Sequence, residues 1–243
     1  MTLTQDSLAS KMSQVGFACI WTVKEKRNGI YVPVLRRKNV ITDFGLSSLA
    51  AAWNGTAIPP LYITLETKYG KVSGSNTIVG AVSIQLDTRI DKAGDTKIQL
   101  SVGTANEETA TFSAVSGTGP YTYTVTALTK AHTIGDYCAR TPQQSDDLTK
   151  LFTELDYDST APGTRAPITS SYSSGTGVYV YQFYFTGIQA IGRLMTVGLA
   201  DSASTGAGNL YAHLVLNYDH TITAPATTTN DVEVDAQLTA TNV

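Results

Sequence analysis

The chain has 243 residues, enough to bury a sizeable core as one large or two small domains, and its 17 basic and 20 acidic residues leave a formal charge of −3. That balance argues against a genome-binding protein, so nucleic acid is not an expected partner. Charged residues are 15% of the chain against about 25% in average globular proteins, while Thr, Ser, Gly and Tyr abound, a mixture suited to many short strands joined by turns.

Apolar runs fall well short of the ~20 residues a membrane helix needs, and the opening MTLTQDSLASK has neither the basic nor the apolar region of a secretory signal. A protein made in a cytoplasm, with no membrane partner, is the expectation. Cys19 and Cys138 stand far apart in different settings, which predicts two ordinary buried thiols rather than a disulfide or a metal knuckle.

In chain order, Val15, Phe17, Cys19, Trp21 and Val23 alternate with smaller residues, the period of a half-buried strand. Lys24 to Gly29 ends in an Asn-Gly pair that suits a tight hairpin turn, and Ile30 to Leu35 returns as a second strand whose Pro33 favours an edge or a bulge. From Thr42 the period changes. Leu46, Leu49, Ala50 and Trp53 fall on one helical face, Thr42 or Asp43 can cap the start, and Asn54-Gly55 supplies a stop. One substantial helix is expected there, packed against a sheet, and Pro59-Pro60 then leads into a strand at Leu61 to Leu65.

Residues 82–140 read as a unit of their own, with strands at Lys97 to Val102, Thr109 to Val115 and Tyr121 to Ala127 and a hairpin turn at Ser116 to Pro120. They predict a small β-barrel-like module inserted between residues 1–81 and 141–243 of a discontinuous domain. The main domain resumes in Val178 to Phe185, apolar on both faces and therefore central, and continues through Leu194 to Leu199, Leu210 to Tyr218 and Val232 to Leu238. The predicted fold is all-β: an antiparallel, jelly-roll-like sandwich with one short early helix.

The order of several segments resembles a family of tailed-bacteriophage virion proteins, found among tail, baseplate, collar and head-decoration components. The segments are Lys38 to Leu46, Pro59 to Ile63, Asp156 to Arg165, Val178 to Phe185, Val197 to Asp201 and Asn230 to Val234. Glu107 to Phe112, Gly119 to Thr122 and Ala131 to Asp136 are similar to a small β module that recurs as an insertion in phage structural proteins. The resemblance implies a virion component that works by assembly, with copies of itself and other virion proteins as partners and no cofactor. A carbohydrate-binding adhesin at a tail or fibre tip is the alternative, with a host glycan as partner.

Catalysis is not expected. His132, His213 and His220 are the only histidines, no Gly-x-Ser-x-Gly elbow is present, and the histidines read as structural. Asp87, Asp91 and Asp95, like Asp156 and Asp158, lack the closing Glu of a calcium loop and read as solvated turn acids. The Gly-rich Ser204 to Asn209 precedes a strand instead of a helix and reads as a turn rather than a phosphate cradle. Thirteen tyrosines and Trp53 would suit a sugar-stacking platform, but most belong on strands as core or subunit-interface residues. The candidate interface residues are Lys24, Lys26, Arg27, Arg36, Arg37 and Lys38 on the first hairpin, and Asp231, Glu233 and Asp235 on one face of the last strand. An acidic strand face suits solvent or a basic partner, here expected to be the hairpin of a neighbouring subunit.

Overall fold

The computed structural model describes residues 15–53, 61–142, 154–157, 160, 162–175, 178–220 and 231–242. Asn54-Gly55, Pro59-Pro60, Asp158 and the first fourteen residues lie outside the described residues.

Strand β1 (Val15–Arg27) turns back into β2 (Ile30–Lys38) through Asn28 and Gly29, both at positive φ (52° and 81°), the geometry of a two-residue hairpin turn matched to strand twist. Pro33 sits where the sequence places it. β2 is a sheet edge, and the register against β1 shifts between Val23 and Lys24. After β3 (Val40–Ile41), helix α1 (Asp43–Trp53) begins under Thr42, whose Oγ1 accepts the Gly45 N–H at 3.0 Å while its own hydroxyl donates to the Leu210 and Tyr211 carbonyls. A Cβ on Gly45 would fall 2.1 Å from the Tyr211 carbonyl oxygen, so only glycine lets the first helical turn sit this close to the sheet.

Two antiparallel sheets face each other. The remaining strands of the sandwich are β4 (Tyr62–Glu66), β11 (Glu154–Leu155), β12 (Ala166–Pro167), β13 (Ser170–Gly175), β14 (Val178–Phe185), β15 (Gly192–Ala200), β16 (Leu210–His220) and β17 (Val232–Asn242). One sheet runs β13-β14-β17-β1-β2 and the other β11-β4-β15-β16-β3, with β12 also on β4. Their shared core takes Trp21, Phe183 and Val234 from the first and Ile63, Leu199 and Leu214 from the second. Trp21 and Phe183 stack at 6.5 Å, and burying each such side chain contributes roughly 1.5–3 kcal/mol. The all-β sandwich with one short early helix is therefore the fold.

Between β4 and β11 the chain builds a third sheet from β5 (Gly70–Lys71), β6 (Ser83–Leu86), β7 (Lys97–Leu100), β8 (Glu108–Ser116), β9 (Tyr121–Val125) and β10 (Tyr137–Arg140), in the order β5-β10-β7-β8-β9-β6. A bridge between Val72 and Leu86 brings the last strand back to the first, so the sheet nearly closes into a barrel. Its core is separate. Val72, Ile84, Leu86, Ile98, Leu100 and Tyr123 pack together, and Phe112 meets Tyr123 edge-on at 5.3 Å.

Candidate functional site

The charges that the sequence puts near opposite ends of the chain meet within one molecule. β17 lies between β14 and β1, with Glu233 opposite Lys24 and Asp235 opposite Thr22. Lys24 Nζ reaches Glu233 at 2.7 Å and Asp235 at 2.5 Å, and Lys26 Nζ reaches Asp231 at 3.2 Å. Gln182 donates to both Glu233 and Asp235 from β14. Partial burial disfavours the charge of Lys24, but the two carboxylates outweigh it and raise its pKa. Burial likewise opposes the ionised form of Asp231, and hydrogen bonds from Tyr184, Lys26 and the Gly187 N–H overcome it and lower its pKa.

The other hairpin cations divide. Arg27 pairs with Glu25 on its own strand, Arg36 and Lys38 are exposed, and Arg37 leaves the sandwich for the barrel. Arg37 grips Glu107 through both terminal nitrogens at 2.8 and 2.9 Å, a bidentate fork that fixes orientation as well as distance. Glu107 also accepts from Gln99 and, at 2.7 Å, from the Gly103 N–H, and these donors hold its carboxyl below the usual carboxylate range despite partial burial. Nearby, Asn217 donates to the Val102 carbonyl at 2.6 Å, and the Arg193 guanidinium lies 3.9 Å from the centre of the Tyr137 ring. Val102 and Ala139 of the barrel pack on Met195 and Val215 of the sandwich. A cleft of about 250 Å³ opens along this junction, lined by Arg37, Gln99, Glu107, Thr141 and His213 among others.

Inside the barrel a second set of polar groups is sealed. Ser101 Oγ lies 2.7 Å from His132 Nδ1 and donates to Asp136 at 2.5 Å, while His132 Nε2 lies 2.7 Å from Glu108 Oε1. Serine, histidine and carboxylate in sequence resemble a hydrolytic relay, but Ser101 is 0% and His132 1% exposed, so no substrate reaches the hydroxyl. The set works as a tie between turns. Glu108 feels an opposing desolvation, yet donors from Thr129, His132 and Lys130 lower its pKa. His213 is buried on β16, and His220 Nδ1 contacts the Ala190 carbonyl at 3.1 Å.

The solvated-acid reading needs correction at Asp91 and Asp95, whose carboxylates are covered, whereas Asp87 stays exposed. Asp87 accepts the Lys71 N–H at 2.7 Å, buried Asp91 accepts from Arg89 and from Tyr123 Oη at 2.7 Å, and Asp95 binds Arg140 and the Lys92 N–H. Each acid fastens a turn to a neighbouring strand, because a barrel this small has many turn N–H groups to satisfy and little core to do it with. Asp156 similarly accepts the Gly163 N–H at 2.9 Å. Among the described residues no three His, Cys, Asp or Glu side chains group to hold a metal. No helix among them is long and apolar enough to cross a membrane. Ser204 to Asn209 is a turn: Gly206 N–H is taken by Glu154, and the Ala207 carbonyl by Arg165, which is itself paired with Glu154 at 2.7 Å. Cys19 and Cys138 are free, buried thiols, both pushed up to about 12 by desolvation.

Sequence reasoning missed one surface. Ile78, Val79, Val82 and Ile134 are 74, 62, 61 and 54% exposed at one end of the barrel, where the Thr77–His132 bridge and the Ile134 N–H to Asn76 bond hold the two loops together. The sequence signal was present, since no residue from Val72 to Leu86 is charged. Only the structure shows that these aliphatics, unlike Ile84 and Leu86 beside them, face outward. In comparisons with protein-family models and with curated proteins, this chain matches none.

Proposed function

We propose that the protein is a structural subunit of a tailed-bacteriophage virion and acts through protein–protein assembly. The aliphatic patch of Ile78, Val79, Val82 and Ile134 carries this reading, together with the segment order that resembles virion proteins. Scattered exposed aliphatics are ordinary, but four on adjoining loops of one small barrel, with no charge along residues 72–86, form the kind of surface that contacts cover. Ser101 and His132 are buried beneath partly exposed Glu108, and the set gives no comparable support to a catalytic role.

The test is to purify particles from infected cells, detect the chain in them by mass spectrometry, and compare incorporation of the wild type with that of a variant carrying Ile78→Ser, Val79→Ser, Val82→Ser and Ile134→Ser. The expected result is a stoichiometric wild-type protein and a folded variant that is excluded. A chain absent from the particles overturns the reading, and specific binding on a glycan array would move it to the adhesin alternative.

A further inference from the structure

The five-stranded sheet has two edges, and they are built differently. β2 is guarded: it carries Pro33, a register shift, and the cations Arg36, Arg37 and Lys38, the devices that keep strange strands from adding to an edge. β13 carries none of the cations and no proline. It reads Ser-Ser-Tyr-Ser-Ser-Gly, all six residues are exposed, and among the described residues its only strand partner is β14. Its one irregularity, between Ser173 and Gly175, lies at its last residues. No residue from Ala166 to Gly192 is charged, so neither β13 nor β14 sets a charge of its own against an incoming strand.

A strand that buries no side chain gains little from packing, and a strand paired on one side only leaves every second N–H and C=O facing outward. The sequence of β13 also says what fits there. Ser170-Ser171-Tyr172-Ser173-Ser174 reads the same in both directions. Laid antiparallel against itself and centred on Tyr172, it sets Tyr172 opposite Tyr172, Ser171 opposite Ser173 and Ser170 opposite Ser174, like against like at every pair. We infer that β13 is a dimerisation edge, pairing antiparallel with β13 of a second copy about a two-fold axis through Tyr172. The pairing makes one continuous sheet from the two five-stranded sheets and turns β13 into an interior strand. Backbone bonds set the register, and Tyr172 and Tyr179, 44 and 41% exposed beside the edge, supply apolar area. The surface is distinct from the aliphatic patch, and the inference stands whether or not the protein belongs to a particle.

Two sets of variants read the register directly. Antiparallel partners have Cα atoms about 4.5–5.5 Å apart, within disulfide reach, so Tyr172→Cys is expected to form a covalent dimer under mild oxidation. Ser170→Cys, facing Ser174, is expected to form far less. Cys19 and Cys138 do not interfere, being buried. In sedimentation velocity, Ser171→Lys with Ser173→Lys opposes like charges and is expected to weaken the dimer at least ten-fold. Ser171→Glu with Ser173→Lys opposes unlike charges and is expected to keep it, with both variants retaining the wild-type circular dichroism spectrum. A monomeric wild type, equal dimerisation of the two charge variants, or equal cross-linking at 170 and 172 overturns the inference. Should a dimer survive the paired lysines but vanish in the four-serine patch variant, the edge inference fails while the assembly reading stands.

Discussion

The outer face of the five-stranded sheet and the interior of the barrel both hold networks of charge, yet they do different work. On the sheet, Lys24 faces Glu233 and Asp235 with about a fifth of its side chain exposed. Water can replace any one contact, and such pairs contribute only ~0.2–1 kcal/mol each. In the barrel, His132, Ser101 and Glu108 meet where the imidazole is fully covered, and removal of one partner strands the others. Losing a buried partner costs about 1–3 kcal/mol per orphaned group. The first network orders neighbouring strands, whereas the second substitutes for a core that so short a segment cannot supply.

Breaking the sealed network has the largest expected effect. His132→Ala removes a ring that holds Ser101 and Glu108 and leaves a void, and is expected to lower barrel stability by about 2–4 kcal/mol in urea unfolding. A loss under 1 kcal/mol would show that the network is passive. Tyr123→Phe is next: it takes a hydrogen bond from Asp91 and an acceptor from the Ile90 N–H, and is expected to cost about 1–3 kcal/mol.

Acid should affect the two networks together. Glu107, Glu108, Asp91 and Asp231 all have depressed pKa values in the folded chain. A group that ionises more readily when folded adds stability that is fully present above its unfolded pKa and is lost as pH falls through the folded one. Stability is therefore expected to be level above about pH 5 and to decline below about pH 4, by denaturant titration at each pH. A decline that begins near neutrality would contradict this assignment. The smallest effect expected is that of Lys24→Met, a loss of about 0.5–1 kcal/mol that shrinks further in high salt, because partly exposed pairs are screened.

Much of this architecture is legible in residue periodicity, and the exceptions share a cause. β1 and β17 alternate because one face meets the core, β14 is apolar on both faces because it lies inside its sheet, and α1 declares itself by spacing and by the Thr42 cap. β13 was invisible: with every residue exposed, it has no apolar face to betray it. β5, β11 and β12 span two residues each, too few for any period. For the site, the sequence expected Lys24, Lys26, Asp231, Glu233 and Asp235 to meet across a subunit boundary, and in the structure these charges pair within one chain. The strand order that brings them together comes from long-range pairing that local pattern does not encode: β17 closes onto β1 more than 200 residues away. Glu107 gave no sign of a tie, because it becomes one only when Arg37 is brought beside it.

The barrel leaves and re-enters the sandwich at nearly one point. Gly70 and Cys138 are cross-strand partners, as are Lys71 and Tyr137, so the outgoing and returning chains run about 5 Å apart. From the sandwich's side, the whole barrel occupies the place of a hairpin turn. The entropy of closing a loop grows only as the logarithm of its length, and a loop whose ends are already pinned by their own sheet has little of that cost left to meet. Cutting at this neck, or threading a foreign domain through it, therefore costs the sandwich little chain entropy, and what it gives up is the junction itself: Arg37 on Glu107, Asn217 on Val102, and Met195 and Val215 on Val102 and Ala139.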